Sequence, residues 1–159
     1  MTVHLTARRM GPGDVGESAA LIATLLGGEG VAEHAGAYGG AGDTAAIRRA
    51  LELLLERPEL GFAWLVFDGT APVGIAIASL SVSTNFGGLV AKVPDLVVRP
   101  DARGTGVGRF LVESLMDELR RIGAGRLDLG VHDGNDGAKR FYDRLGFVQN
   151  HEIGLSRLL

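Results

Sequence analysis

The chain has 159 residues, a net charge of −3 and no cysteine, which suits a single domain over residues 1–159 and excludes disulfides, thiolate metal sites and a cysteine nucleophile. Hydrophobic residues make up 46% and charged residues 22%, an ordinary globular balance whose mild acidity gives no general reason to bind nucleic acid or an anionic membrane. No apolar run of about eighteen residues and no signal-like N-terminal stretch occurs, so a cytoplasmic location is the expectation.

Val3–Arg8 reads as a short edge strand. Asp14 is placed to cap a helix that carries Leu21, Ile22, Leu25 and Leu26 on one face. Residues 27–42 hold seven glycines and read as a mobile loop. Asp43 caps a second helix with Ile47, Leu51, Leu54 and Leu55 on one side, and Pro58 stops it. Two strands follow, Phe62–Phe67 and Val73–Val82, joined by the turn Asp68-Gly69-Thr70-Ala71-Pro72. Asn85-Phe86-Gly87-Gly88 then turns the chain into a strand over Leu89–Val98. Pro94 lies inside that strand, where a missing ladder donor is tolerated only at a bulge.

Residues 95–109 read Asp-Leu-Val-Val-Arg-Pro-Asp-Ala-Arg-Gly-Thr-Gly-Val-Gly-Arg. A strand here enters a basic, glycine-rich turn that opens a helix over 107–122, with Val107, Leu111, Leu115 and Leu119 in line. Main-chain N–H groups and the positive end of the helix dipole converge at the turn, which suits a phosphate-bearing ligand. A nucleoside-triphosphate loop is excluded, because Gly108 is followed by Arg109 and Phe110 and not by Lys and a hydroxyl residue. A dinucleotide loop is excluded as well: Gly104, Gly106 and Gly108 are evenly spaced and Arg109 stands where the third glycine belongs. What remains is Arg103-x-x-Gly106-x-Gly108. Beyond it, Arg126–Val131 reads as a strand, Asp136–Leu145 as a helix and Val148–Leu155 as a last strand.

A second block, Asn135-Asp-Gly-Ala-Lys-Arg-Phe-Tyr-Asp-Arg-Leu-Gly-Phe147, follows after a helix and a strand. Together the two blocks resemble the GNAT superfamily of acetyl-CoA-dependent N-acyltransferases. The first resembles its pyrophosphate-binding signature, and the second its motif N-x-x-A-x-x-x-Y-x-x-x-G-F, with Asn135, Ala138, Tyr142, Gly146 and Phe147 in register. The resemblance is specific over residues 73–147. It implies an α+β fold: a mixed, largely antiparallel sheet of six or seven strands with a splayed central strand and helices on both faces. The bulge in that central strand explains Pro94.

The resemblance also implies a reaction, attack of a neutral amine on the thioester of acetyl-CoA. Arg103, Gly104, Thr105, Gly106, Val107, Gly108 and Arg109 would hold the pyrophosphate, mainly through main-chain N–H groups. Leu96, Val97 and Val98 would bind the pantetheine arm as an added strand, with Asn135 binding its amides or capping the following helix. Tyr142 would protonate the departing thiolate, a phenol of pKa about 10 serving a thiol of about 8.5. The Ser83–Gly88 hairpin and Val93–Val98 resemble the diamine acetyltransferase branch, which has a Glu-Asp pair where this chain has Pro94-Asp95. Asp95 is the remaining candidate to assist the amine, and a structural carboxylate is its alternative reading. His132 and Asp133 are expected at the mouth of the site, and Glu29, Glu33 and His34 on the loop bordering the acceptor. No metal site is expected. The acceptor is expected to be a small-molecule amine, with a protein amine or a non-catalytic acyl-CoA-binding role as alternatives. A homodimer paired through the last strand is also consistent with the resemblance.

Overall fold

The computed structural model describes residues 4–26 and 43–159. Among them, five strands form one sheet in chain order. β1 (Leu5–Arg9), β2 (Gly61–Asp68), β3 (Ala71–Ser83) and β4 (Gly88–Val98) are antiparallel neighbours, and β5 (Arg126–Leu129) lies parallel to β4. The helices are α1 (Val15–Leu26), α2 (Thr44–Glu56), α3 (Val107–Arg121) and α4 (Asp136–Arg144).

β2 and the middle of β3 are continuous apolar runs because they are buried on both faces. On one face Leu65, Ile75, Ile77 and Val97 meet Val15, Ala19 and Ile22 of α1 and Ile47 and Leu51 of α2. On the other, Trp64, Val66, Ala76, Ala78, Ala91 and Val93 meet Val107, Leu111, Leu115 and Leu119 of α3. Complete burial of a side chain such as Leu111 or Leu115 stabilises the fold by roughly 1.5–3 kcal/mol. Helices therefore cover both faces, as expected.

The expected six or seven strands are not reached. Val148–Leu155 forms no strand, and the outer edge of β5 is unpaired among the described residues. A local hydrogen bond competes with the ladder there: the Glu152 N–H donates to Asn150 Oδ1 at 3.2 Å. His151 adopts a φ of 61°, so the segment turns where a strand would stay extended. The edge strand is seen from Leu5, and the fifth strand stops at Leu129. The glycine-rich segment 27–42, with Glu29, Glu33 and His34, lies outside the described residues.

The two helix starts differ. Asp43 caps α2 through a 2.5 Å bond from the Ala46 N–H. Asp14 precedes α1, but its carboxylate accepts from the Gly11 N–H at 2.7 Å and from Arg8 at 2.6 and 3.0 Å. It ties the edge strand to the helix where a cap was expected.

One glycine is required by close approach. Gly61 has φ +147°, and a Cβ there would lie 2.0 Å from the Ala78 carbonyl oxygen. Backbone strain of this kind costs about 1–3 kcal/mol, and the clash adds to it. Gly61→Ala is expected to lower Tm by about 5 °C or more, since each kcal/mol moves a chain of this size by roughly 2–4 °C; a calorimetric scan checks it.

Candidate active site

The site begins with a register change in β4. Ile77 of β3 sits opposite Asp95, but Ser79 sits opposite Lys92. Val93 and Pro94 therefore oppose the single residue Ala78, a bulge that places Pro94 where no ladder donor is needed. The extra residue also reverses the faces of the strand. Before it, Ala91 and Val93 point at α3; after it, Leu96 and Val98 do, while Val97 joins the α1 and α2 layer. Asp95, opposite Ile77, shares the face of Val97. Without the bulge its carboxylate would be directed into the α3 core.

The same bulge marks where β4 and β5 part. Their pairing runs only from Val90↔Arg126 to Val93↔Leu129. The Arg99 N–H donates to Val73 O at 2.8 Å. Main-chain groups alternate sides along a strand, so Val97 faces β3 while Leu96 presents N–H and C=O, and Val98 its N–H, to the side that β5 has left; the Val98 carbonyl oxygen accepts from Arg103. An extended, amide-bearing ligand can pair with that edge.

The turn beyond it is held open. Thr105 Oγ1 donates to Ala102 O at 2.5 Å, and Arg103 Nε donates to Val98 O at 3.2 Å. Gly104 and Gly106 have φ of 75° and 91°, and above each lies open space where a Cβ would project. The N–H groups from Gly104 through Arg109 have no partner among the described residues. Alternating left-handed glycines at the start of a 15-residue helix turn these donors outward, so the turn fits a pyrophosphate.

Gly108 has a different task. A Cβ there would lie 3.4 Å from the Phe141 ring and 3.6 Å from Val98. Its absence lets Phe141 lock α4 against the start of α3. Tyr142 is the next residue of α4, its ring edge-on to Phe141 at 5.0 Å and to Phe147 at 5.5 Å. The Tyr142 side chain is half-buried, and burial raises its pKa above the usual value of 10.0. Its hydroxyl has no hydrogen-bond partner among the described residues.

Asp95 is likewise half-buried, burial raises its pKa above the usual 3.8, and its carboxylate has no partner among the described residues. Asn135 acts as the helix cap: its Oδ1 accepts from the Ala138 N–H at 3.1 Å, while its amide nitrogen has no partner among the described residues. Arg109 is turned to Glu113 at 2.8 Å. Asp133 pairs with Lys139 at 3.1 Å, which holds its carboxyl below the usual range, and the main-chain oxygen of His132 accepts from the Asn135 N–H at 3.0 Å. These two residues brace the start of α4. No metal-binding cluster occurs among the described residues.

A contact that sequence reasoning missed sets the other end of β5. Phe86, at the tip of the β3–β4 hairpin, lies where a Cβ on Gly125 would come within 2.4 Å of its ring. The Gly125 N–H donates to Leu89 O at 3.0 Å, so the hairpin holds the start of β5 in register. Gly125 reads in sequence only as a helix stop. A separate cavity of about 350 Å³, bounded by Trp64, Phe110, Ser114 and Glu118 among others, does not touch β4.

The opened strand edge leads directly into a turn whose N–H groups have no partner among the described residues, and comparison with known proteins agrees with what they suggest. The model of the Acetyltransferase (GNAT) family matches residues 31–147. The chain belongs to this family. It is similar to an uncharacterized N-acetyltransferase of Methanocaldococcus jannaschii, 32% identical over 101 residues, which are 63% of this chain and 44% of that protein. It is also similar to the mycothiol acetyltransferase of Beutenbergia cavernae, 32% identical over 163 residues, covering 91% of this chain and 54% of the relative. The chain thus spans about half the length of these relatives. Among solved structures, an integron cassette protein from the mobile metagenome of Cole Harbour Salt Marsh superposes with a TM-score of 0.77 at 29% identity, over 96% of this chain and 90% of the other. The GNAT family uses acetyl-CoA as acyl donor. No described helix is long and apolar enough to cross a membrane.

Proposed function

We propose that the chain transfers the acetyl group of acetyl-CoA to the primary amine of a small molecule, by direct attack within a ternary complex. The observation that carries this reading is the bulge at Val93–Pro94: it opens the β4 edge beside the free N–H groups of the Gly104–Gly106 turn and turns Asp95 to the opposite face.

The pyrophosphate of acetyl-CoA is held by the N–H groups of Gly104 through Arg109, with Arg103 and Thr105 stabilising the turn. The pantetheine arm lies along Leu96–Val98. The amine nitrogen attacks the thioester carbonyl from the Asp95 face, the C–N bond forms, and the C–S bond breaks. Tyr142 donates its proton to the leaving thiolate, and the proton lost by nitrogen passes to Asp95, directly or through water. An alkylammonium of pKa about 10.4 is neutral in only about one molecule in 2,500 at pH 7, which is why a carboxylate at this place matters. The diamine branch is not favoured for the acceptor, since Pro94 stands where that branch has its glutamate.

Thermal stabilisation by CoA, but not by ATP or NAD, followed by thiol release across a panel of amines, tests the reading. Binding without turnover of any amine would leave an acyl-CoA-binding domain, and turnover of peptide N-termini alone would move the acceptor to proteins. Gly106→Ala puts a Cβ into the ligand's space at a left-handed φ, and is expected to weaken CoA binding by about tenfold or more, a shift that calorimetric titration reads.

A further inference from the structure

β4 is an interior strand, with β3 on one side and β5 on the other. On its α1 face, Val90 and Val97 are buried. Between them on that face stand two charged residues, Lys92 and Asp95. The register assigns them there: Lys92 is opposite Ser79 and alternates with Ala91 and Val93, and Asp95 is opposite Ile77. The bulge is what places both on one face, because an odd spacing of three residues would otherwise divide them.

Lys92 is exposed and Asp95 half-buried, and neither has an ion-pair partner among the described residues, which is also true of Asp68 at the end of β2. The strand arginines Arg8, Arg9 and Arg126 each hold a carboxylate, from Asp14, Glu118 and Asp128, at 2.6, 2.7 and 3.0 Å. Asp128 is the register partner of Lys92 across β4 and β5, yet it pairs with Arg126. Lys92 and Asp95 form no ion pair with each other or with any described residue. The sequence contains one other lysine, Lys139, and that one is paired with Asp133. Two opposite charges kept apart on an otherwise apolar row offer a complement to a ligand that carries both.

We propose that the acceptor is a compact amine that also bears an anionic group, a carboxylate or a phosphate, with the anion bound by Lys92 and the amine facing Asp95. At about 3.3 Å per residue the two positions are about 10 Å apart or less, so amine and anion are separated by a few bonds. This rests on the acetyltransferase reading, and it names the substrate class of the same site.

The test is kcat/KM for matched pairs of amines, β-alanine against β-alaninamide and phosphoethanolamine against ethanolamine, with rates referred to the unprotonated amine. The native protein is expected to favour the anionic member of at least one pair by tenfold or more, through KM, and the favoured pair tells carboxylate from phosphate. Lys92→Met is expected to bring that ratio to within twofold of one, Lys92→Arg to restore most of it, and Lys139→Met to leave it intact. Equal use of both members, or a preference that survives Lys92→Met, overturns the proposal while the acetyltransferase reading stands. If CoA binds and no amine turns over, the acetyltransferase reading fails and this proposal fails with it.

Discussion

Tyr142→Phe is expected to lower kcat by about 10²-fold, the scale of one positioned general acid, with KM for acetyl-CoA changed far less. The phenol hydroxyl has no protein partner among the described residues, so its removal breaks no hydrogen bond. The ring contacts with Phe141 and Phe147 are kept by phenylalanine. Tm should therefore hold or rise slightly, because a half-buried, unpaired hydroxyl is desolvated for no return. Burial keeps the phenol protonated beyond the usual value of 10.0, so the acid form is present throughout the neutral range. A thiolate leaving group gains from that proton in the transition state more than in the ground state, which puts the loss in kcat. Steady-state kinetics with a thermal scan on both proteins decide it: an unchanged kcat removes the general-acid role, and a falling Tm would show that the hydroxyl is structural.

Asp95→Asn is expected to lower kcat/KM about 10²-fold and, unlike most losses of function, to stabilise the protein at neutral pH. Burial raises the carboxyl pKa in the folded chain above its usual 3.8. The folded state then binds the proton more tightly than the unfolded one. The stability linked to this group is complete below the unfolded pKa and is lost as pH rises through the folded value. At pH 7 the native protein carries a half-buried carboxylate with no partner among the described residues, and asparagine carries no charge, so the variant should have the higher Tm there. At pH 3, where the aspartic acid is largely protonated in both states, the two should converge. The same shift moves the acid limb of native kcat/KM upward from the usual 3.8, with activity falling as pH falls through it. Equal Tm values at pH 7 would mean that the carboxylate is not strained by burial, and an unaltered acid limb in the variant would assign that limb to another group.

The parts of the site that follow from local rules were legible in the chain. Helix α3 follows from the spacing Val107, Leu111, Leu115, Leu119, and β2 and β3 from continuous apolar runs between turn signals. The even glycines of 104–108 pointed to a turn of unusual backbone. Gly104 and Gly106 adopt left-handed backbone there, while Gly108 instead admits Phe141, a distinction that spacing alone does not make. Asn135 was open between ligand and cap, and its carbonyl oxygen is the cap. His132 and Asp133 were expected at the mouth of the site, but Asp133 is held by Lys139 on α4. Val148–Leu155 was expected as a last strand, and the Asn150 side chain bonding two residues ahead shows what competes with it.

The chain by itself determined the helices, the strands β2 to β4 and the apolar faces that make the two-layered core, because these depend on periodicity, capping and backbone freedom within a few residues. Only the tertiary structure decided the rest. Pro94 demanded a bulge, but the pairing with Ala78 decided that Lys92, Asp95 and Val97 share one face. The start of β5 is held by Phe86 on a hairpin 39 positions before Gly125, and no local pattern encodes such a contact. Which charges stay unpaired is equally non-local: Asp128 could have taken Lys92 across the ladder and takes Arg126 instead. Side-chain direction and ion pairing depend on what the neighbouring strand supplies, and that exists only once the sheet has formed.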